Sequence, residues 1–252
     1  MKKFNSLIIL LFLICLFFSC QTTKNLNPAA SGFNATDSDA KAIKIADEVM
    51  IAMGGRKNWD DTKIISWNFF GARKLAWNKH TGDVRIKSDK ERYTVLMNIF
   101  TDKGKVMKRG ELIQNPDSLQ YYLQKGKEAW INDSYWLVMP FKLKDSGVRL
   151  KYLGESTTDE GAKTDLLELT FVNVGTTPEN KYHVHIDKLT RLVSQWDFYS
   201  KANDPEPRFK TPWKSYQKYG NILLSSSRGK NYELTDIIVR DEVPPRFFSD
   251  FK

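Results

Sequence analysis

The sequence predicts a mainly β protein of the α+β class: one domain with about eleven antiparallel strands, an N-terminal helix and one inserted helix. Short apolar-alternating runs recur at roughly ten- to fifteen-residue intervals between Lys63 and Arg240, separated by turn signals such as Thr81-Gly82. Two stretches show helical spacing, and neither βαβ alternation nor an internal repeat is visible. The 252 residues are 41% hydrophobic and 13% aromatic, enough apolar material for a packed core, which excludes a wholly disordered chain.

The chain opens with a processing signal. Lys2 and Lys3 precede Leu7–Phe18, twelve apolar residues without a charge. Twelve residues are too few to span a bilayer as a helix and suit a signal h-region. The run ends in Leu16-Phe17-Phe18-Ser19-Cys20, which resembles the lipobox of bacterial lipoproteins. The resemblance implies removal of residues 1–19, diacylglycerol on the Cys20 sulfur and an acyl chain such as palmitate on its new amino group. Several chains on one residue anchor firmly, at ~0.8 kcal/mol per buried CH₂. Cys15 would leave with the signal, so no disulfide is expected. Residues 20–36 are the lipidated cysteine and a polar tether with Pro28 and Gly32. The sixteen residues 21–36 would have a coil span of roughly 22 Å. Residues 37–252 form the domain.

Asp37 and Ser38 are N-cap candidates for a helix whose stripe is Ile43, Ala46, Val49, Met50 and Met53, stopped by Gly54-Gly55. Strands are expected over Lys63–Gly71, Val84–Asp89, Tyr93–Phe100 and Lys105–Ile113. The inserted helix starts with Pro116 at N1 and runs through Leu119, Tyr122, Leu123 and Trp130 to about Ser134. Strands resume at Trp136–Phe141, halted by Pro140, and continue through Val148–Gly154, Asp165–Val174, Lys181–Asp187, Leu192–Tyr199, Ile222–Ser227 and Tyr232–Arg240. Residues 200–216, with three prolines, read as a long loop. Phe247 and Phe248 follow Pro244-Pro245 in a tail able to dock two rings.

Several strands are apolar on both faces. Leu167, Leu169 and Phe171 oppose Leu166 and Val172; Leu234 and Ile238 oppose Ile237 and Val239. Two architectures satisfy this pattern: a curved sheet that holds helices and a cavity on its concave side, or a closed barrel or sandwich filled by its own side chains.

Three stretches resemble the LolA/LolB-like superfamily, in an outer-membrane lipoprotein branch: Ala52-Met53-Gly54-Gly55-Arg56 with Trp59 after it, Trp136–Glu155, and Lys181–Tyr199 with its Asp187-Lys188-Leu189-Thr190 joint. The resemblance spans roughly residues 38–250. It implies an unclosed half-barrel of about eleven strands with helices plugging the concave side, which binds acyl chains or another lipid. The expected cavity wall is Trp67, Phe69, Met97, Ile99, Leu167, Leu169, Phe171, Val184 and Ile186, with Trp213 at the rim. A one-residue slip in register would move every name to the other face.

Catalytic alternatives are thinner. His183-Val184-His185 places two imidazoles on one strand face with Asp187, but Tyr182, Val184 and Ile186 take the apolar face, so the histidines fall on the solvent face. His80 stands apart in a turn. Asp60-Asp61, Asp159-Glu160 and Asp241-Glu242 sit at turns or strand ends, Ser225-Ser226-Ser227 lacks a nucleophile elbow, and there is no phosphate loop or dinucleotide fingerprint. The formal charge of +9 is spread over Lys142, Lys144, Arg149, Lys151, Lys210, Lys214, Lys218, Arg228 and Lys230. An anchored envelope protein has little use for nucleic acid, whereas lipid head groups would feel these charges. Trp67, Trp77, Trp130, Trp136, Trp196, Tyr182 and Tyr232 read first as core.

The expectation is therefore a monomeric, non-catalytic lipoprotein of the outer membrane, facing the periplasm because Gln21-Thr22-Thr23-Lys24 carries no acidic cluster. It would bind a lipid or other hydrophobic ligand without a cofactor or metal. The alternatives are an interaction lipoprotein with a filled core, serving envelope protein partners, and an enzyme or glycan-binding protein.

Overall fold

The computed structural model describes residues 26–172 and 177–251, so the signal segment and Cys20 lie outside the described residues. Among the described residues there are three α-helices: α1 (Ala40–Ala52), α2 (Arg56–Asp61) and α3 (Pro116–Val138), the last running into a 3₁₀ turn at Met139–Lys142. The strands are β1 (Ile64–Phe69), β2 (Arg73–Asn78), β3 (Asp83–Ser88), β4 (Tyr93–Asn98), β5 (Lys103–Lys108), β6 (Glu111–Leu112), β7 (Val148–Thr157), β8 (Lys163–Phe171), β9 (Lys181–Asp187), β10 (Val193–Tyr199), β11 (Phe209–Pro212), β12 (Lys214–Tyr219), β13 (Ile222–Ser227) and β14 (Leu234–Arg240).

The architecture is mainly β and unclosed, with helices against the concave side, as expected. Its ladders fall into three groups: seven strands in the order β14-β1-β2-β3-β4-β5-β6, five in the order β11-β10-β9-β8-β7, and the β12-β13 hairpin. All pairings are antiparallel. Tyr216 spans two of the groups by donating its hydroxyl to the Val193 carbonyl, 2.8 Å.

Helix α1 buries Ala42, Ile45, Ala46, Val49 and Met50. Gly54 ends it at φ 113, and a Cβ there would lie 2.4 Å from the Asn221 carbonyl oxygen, so only glycine fits. In α3, Pro116 follows Asn115, whose side chain accepts from the Ser118 amide at 2.9 Å. Gly126 brings this helix down onto β4: a Cβ would sit 3.0 Å from Val95 Cγ1. Asp133, fully buried, takes a two-pronged bond from Arg73 of β2 at 2.6 and 2.7 Å.

Four expectations are corrected. Trp136–Phe141 is helical, because Leu137 and Val138 extend the buried stripe of α3 and Pro140 stops a helix as readily as a strand. Strand β2 is a further strand that alternation does not reveal, because Leu75 and Ala76 are buried in succession, which breaks the two-residue period. The span 200–216 holds β11 and the start of β12; Pro212 ends β11, at the sheet edge, where a missing N–H is tolerated. The two-faced pattern of the last strand reflects a bulge: Ser66 pairs Ile238 while Asn68 pairs Thr235, and Asp236 sits at φ 53. Leu234 and Ile237 are consequently both buried, and Ile238 is exposed.

The tether is shorter than expected. Residues 27–36 are docked on the domain: the amides of Ala30 and Asn34 donate to the carbonyls of Lys144 and Val148, both at 3.0 Å. At the other end, Arg85 on β3 donates to the carbonyls of Phe247 and Asp250 at 2.8 and 2.7 Å, and its guanidinium lies 5.1 Å from the Phe247 ring centre.

Candidate functional site

The five-stranded sheet places aromatic residues in register at one end. Tyr182 of β9 is opposite Phe198 of β10, and Phe198 is opposite Phe209 of β11. Trp196 lies two residues along on the same face of β10, and Phe171 ends β8. The C-terminal turns of α3 present Ile131, Asn132, Tyr135 and Trp136 to them. Between helix and sheet lies a cavity of about 560 Å³, bordered also by Lys142, Asp145, Ser146, Val148, Thr177 and Asn180.

The wall is built from ring contacts. Trp196 stacks on Tyr182 at 5.0 Å and on Tyr135 at 5.8 Å between centroids, and meets Trp136 edge-on at 4.9 Å. Trp136 stacks in turn on Phe209, 6.0 Å away at 17°. Rings this bulky hold α3 and the five-stranded sheet apart, whereas Gly126 lets the same helix touch β4 of the seven-stranded sheet. Burial pushes the Tyr182 hydroxyl up to about 12 and the Tyr135 hydroxyl well above the ordinary phenol range, so both stay neutral at physiological pH. The buried Trp196 Nε1 has no acceptor among the described residues. Charge is confined to the rim, where Lys142 and Asp145 form an ion pair.

Of the nine expected wall residues, Phe171 lines this cavity. Trp67, Phe69, Met97, Ile99, Leu167, Leu169, Val184 and Ile186 are packed in the core instead. Trp213 is not at the rim: it is 2% exposed, edge-on to Trp196 at 5.4 Å, with the Arg228 guanidinium 3.5 Å above its ring centre. Trp136, Trp196 and Tyr182 were legible as aromatics but not as wall residues. Their signal was Tyr182 on the apolar face of β9; what it lacked was the position of α3.

The other chemical candidates serve structure. His185 is buried, with Nδ1 3.2 Å from Thr164 Oγ1 and Nε2 3.3 Å from Asp197 Oδ2, and Gln195 donates to Asp197 at 2.7 Å. The histidine face is thus a covered polar network at His185, not a solvent face. His183, half-buried, has its Nδ1 3.0 Å from the Tyr199 hydroxyl, and burial pulls its pKa below the ordinary value. No group of three or more His, Cys, Asp or Glu suited to a metal occurs among the described residues.

Two expected surface cations are buried. Lys144 donates to Asp47 and to the Asn27 carbonyl, both at 2.5 Å. Arg228 has neutral acceptors: Ser225 Oγ at 2.8 Å, the Ser227 carbonyl at 2.9 Å and the Trp136 carbonyl in the last turn of α3. Burial lowers its pKa to about 9. The partial negative charge of the helix end favours a cation at that position.

No family model and no curated protein matches the chain. The solved structures that resemble it include two of low sequence identity. One is an outer membrane lipoprotein-sorting protein domain from Vibrio parahaemolyticus, 12% identical, with a TM-score of 0.44 over 83% of this chain and 96% of that one. The other is a DUF1329 family protein from Desulfovibrio piger, 14% identical, with a TM-score of 0.44 over 82% and 96%. The unclosed half-barrel is the architecture the LolA/LolB-like resemblance implies. Among the described residues no helix is long and apolar enough to cross a membrane.

Proposed function

We propose that this is an envelope lipoprotein, held by acyl chains on Cys20, whose domain reversibly binds an acyl chain or another hydrophobic molecule in the aromatic cavity. The observation that carries the reading is the cavity itself: about 560 Å³, walled by Tyr135, Trp136, Phe171, Tyr182, Trp196, Phe198 and Phe209, with its charges at the rim. Small-molecule sites span roughly 300–1,000 Å³ and are mostly apolar with a few placed polar groups. Binding needs no covalent step. Apolar surface leaving water contributes ~25 cal/mol per Å², and neutral phenols spare the ligand any buried charge. A lipid or lipoprotein trafficking role, on the periplasmic side of the outer membrane and as a monomer, is the setting we propose.

The test is native mass spectrometry of unlipidated residues 21–252, followed by organic extraction. A retained mass that extracts as a fatty acid or phospholipid supports the reading. A bare mass with no thermal shift on adding lipids overturns it. A shift with oligosaccharides instead would move the assignment to glycan binding, which the polar rim of Asn132, Thr177 and Asn180 would serve.

A further inference from the structure

The helices cover the concave side of the seven-stranded sheet, so the side chains that alternate with Ile86, Val95 and Val106 form its convex face. Register sets them in rows. Lys74 is opposite Lys87, Lys87 opposite Thr94, Thr94 opposite Met107, and Met107 opposite Leu112. At strand spacings of about 4.8 Å this row is roughly 19 Å wide. The next row carries Ala76, Arg85, Leu96 and Lys105. Arg92 and Arg109 stand at the β3–β4 and β5–β6 turns, with the Arg109 amide donating to the Arg92 carbonyl at 2.8 Å.

Two open depressions on this face meet at Lys87. One, about 260 Å³, is bordered by Lys74, Arg85, Ile238 and Phe247; the other, about 420 Å³, by Arg92, Thr94, Met107 and Arg109. Arg85 is already engaged, since it holds the carbonyls of the C-terminal tail. Lys87 pairs with Asp89 at 2.8 Å, but Lys74, Arg92, Lys105 and Arg109, all exposed, pair with no carboxylate among the described residues. Other cations of the surface are matched: Lys125 reaches Glu91, Lys127 reaches Asp102, and Lys210 reaches Asp159. Apolar side chains flank the cationic field. Leu112 is 46% exposed at the β6 edge of the sheet, and Ile238 is 44% exposed at the β14 edge.

Unmatched cations on one face raise the potential there and draw an anionic partner. These are spread from β2 to β5 rather than gathered around one point, which suits a surface of many anions better than a single one. Leu112 and Ile238 add apolar contact that a bilayer interface accepts and a soluble polyanion does not. We propose that the convex face of the seven-stranded sheet docks on a bilayer bearing anionic phospholipids. The attraction acts within a Debye length, ~8 Å at physiological salt, so the face has to lie against the head groups to profit from it. None of these side chains borders the aromatic cavity, and the inference is independent of what that cavity binds.

The experiment sediments unlipidated residues 21–252, which hold every described residue, with vesicles of phosphatidylcholine alone or with phosphatidylglycerol added. The expected result is binding to the phosphatidylglycerol vesicles only, lost at about 1 M salt. Lys74→Glu with Lys105→Glu and Arg109→Glu should weaken that binding by more than about tenfold, and the glutamine versions of the same three should weaken it less. Lys151→Glu with Lys163→Glu and Lys201→Glu replaces exposed cations of the five-stranded sheet and the loop after β10. It changes the net charge equally and should leave most of the binding. Thermal midpoint and cavity-ligand retention should match the parent in all three sets, so a failure of the cavity reading registers separately. Equal loss in the two glutamate sets, binding to phosphatidylcholine alone, or no binding to either vesicle overturns the inference. Capture by soluble polyphosphate without binding to vesicles also overturns it, and assigns the face to a soluble polyanion.

Discussion

The two sheets meet the same helix and treat it differently. Against β3, β4 and β5, the front of α3 closes down at Gly126, and Ile86, Val95 and Val106 fill the interface completely. Against the five-stranded sheet, the back of the same helix carries Tyr135 and Trp136, which meet Trp196, Tyr182 and Phe209 ring to ring and leave about 560 Å³ between them. On the first side the glycine lets aliphatic side chains close the joint between the ring pairs Tyr93–Tyr122 and Trp77–Trp130; on the second, rings meet rings with no such close approach and leave a vault. A filled joint and an open cavity are thereby separated along one helix.

The largest losses are expected on the filled side. Trp67→Ala should cost about 3–5 kcal/mol in urea unfolding while leaving ligand retention by the folded fraction unchanged, because Trp67 is core and not wall. Asp133→Ala should cost about 3 kcal/mol, since it strands the Arg73 guanidinium at the helix surface; Arg73→Met with Asp133→Leu should recover most of that in the same assay. Gly126→Leu should cost about 1–3 kcal/mol by forcing α3 off Val95. A thermal midpoint equal to that of the parent would show that the joint is looser than its contacts imply. Phe209→Ala, at the 37% exposed lip of the cavity, should change stability least, by less than about 1 kcal/mol, yet alter the mass or amount of ligand retained.

Acid should separate the sheets as well. Burial lowers the His183 pKa, and its neutral form is the one the fold keeps, so stability falls as pH drops through the ordinary histidine range near ~6.5. Burial pushes the Asp165 and Asp197 carboxyls up, but bonds from Arg191 and Tyr152 to the first, and from His185 and Gln195 to the second, outweigh it. Both end below the ordinary value, so their contribution is present above ~3.9 and is lost as pH falls toward their folded values. As pH falls, amide protection factors, corrected for the intrinsic slowing of exchange in acid, should therefore drop in β8–β10 before they drop in β3–β5.

Where alternation was clean, the sequence was sufficient: Lys181–Asp187 and Ile222–Ser227 are strands with the expected ends. It failed where periodicity is ambiguous. The apolar run at Trp136–Phe141 suits a strand or a buried helix end, and the polar run Arg56–Asp61 is helical although its one buried side chain is Trp59, stacked on Phe141 at 4.3 Å. The cavity was legible as a class and not as residues. Leu167, Leu169, Val184 and Ile186 share the inner face with Phe171 and Tyr182, but what separates filling from lining is where α3 stops touching the sheet. That depends on Gly126 and on the rings of Tyr135 and Trp136, no one of which is distinctive in sequence. Arg228 misled for a related reason: its neighbours Ser227 and Gly229 suggest a surface turn, whereas its partner is a carbonyl 92 residues earlier.

The pairing of β14 with β1 sets an order of events. Leu234 sits opposite Phe69 and Arg240 opposite Ile64, so the first strand of the large sheet finds one neighbour at once and the other only after nearly the whole chain has been made. Until then one row of backbone donors and acceptors on β1 stands open, and α3 lacks the arginine that finishes its end. Contacts of such long separation form slowly. In a nascent chain built this way, β1 gains its second neighbour only when residues 234–240 have been made.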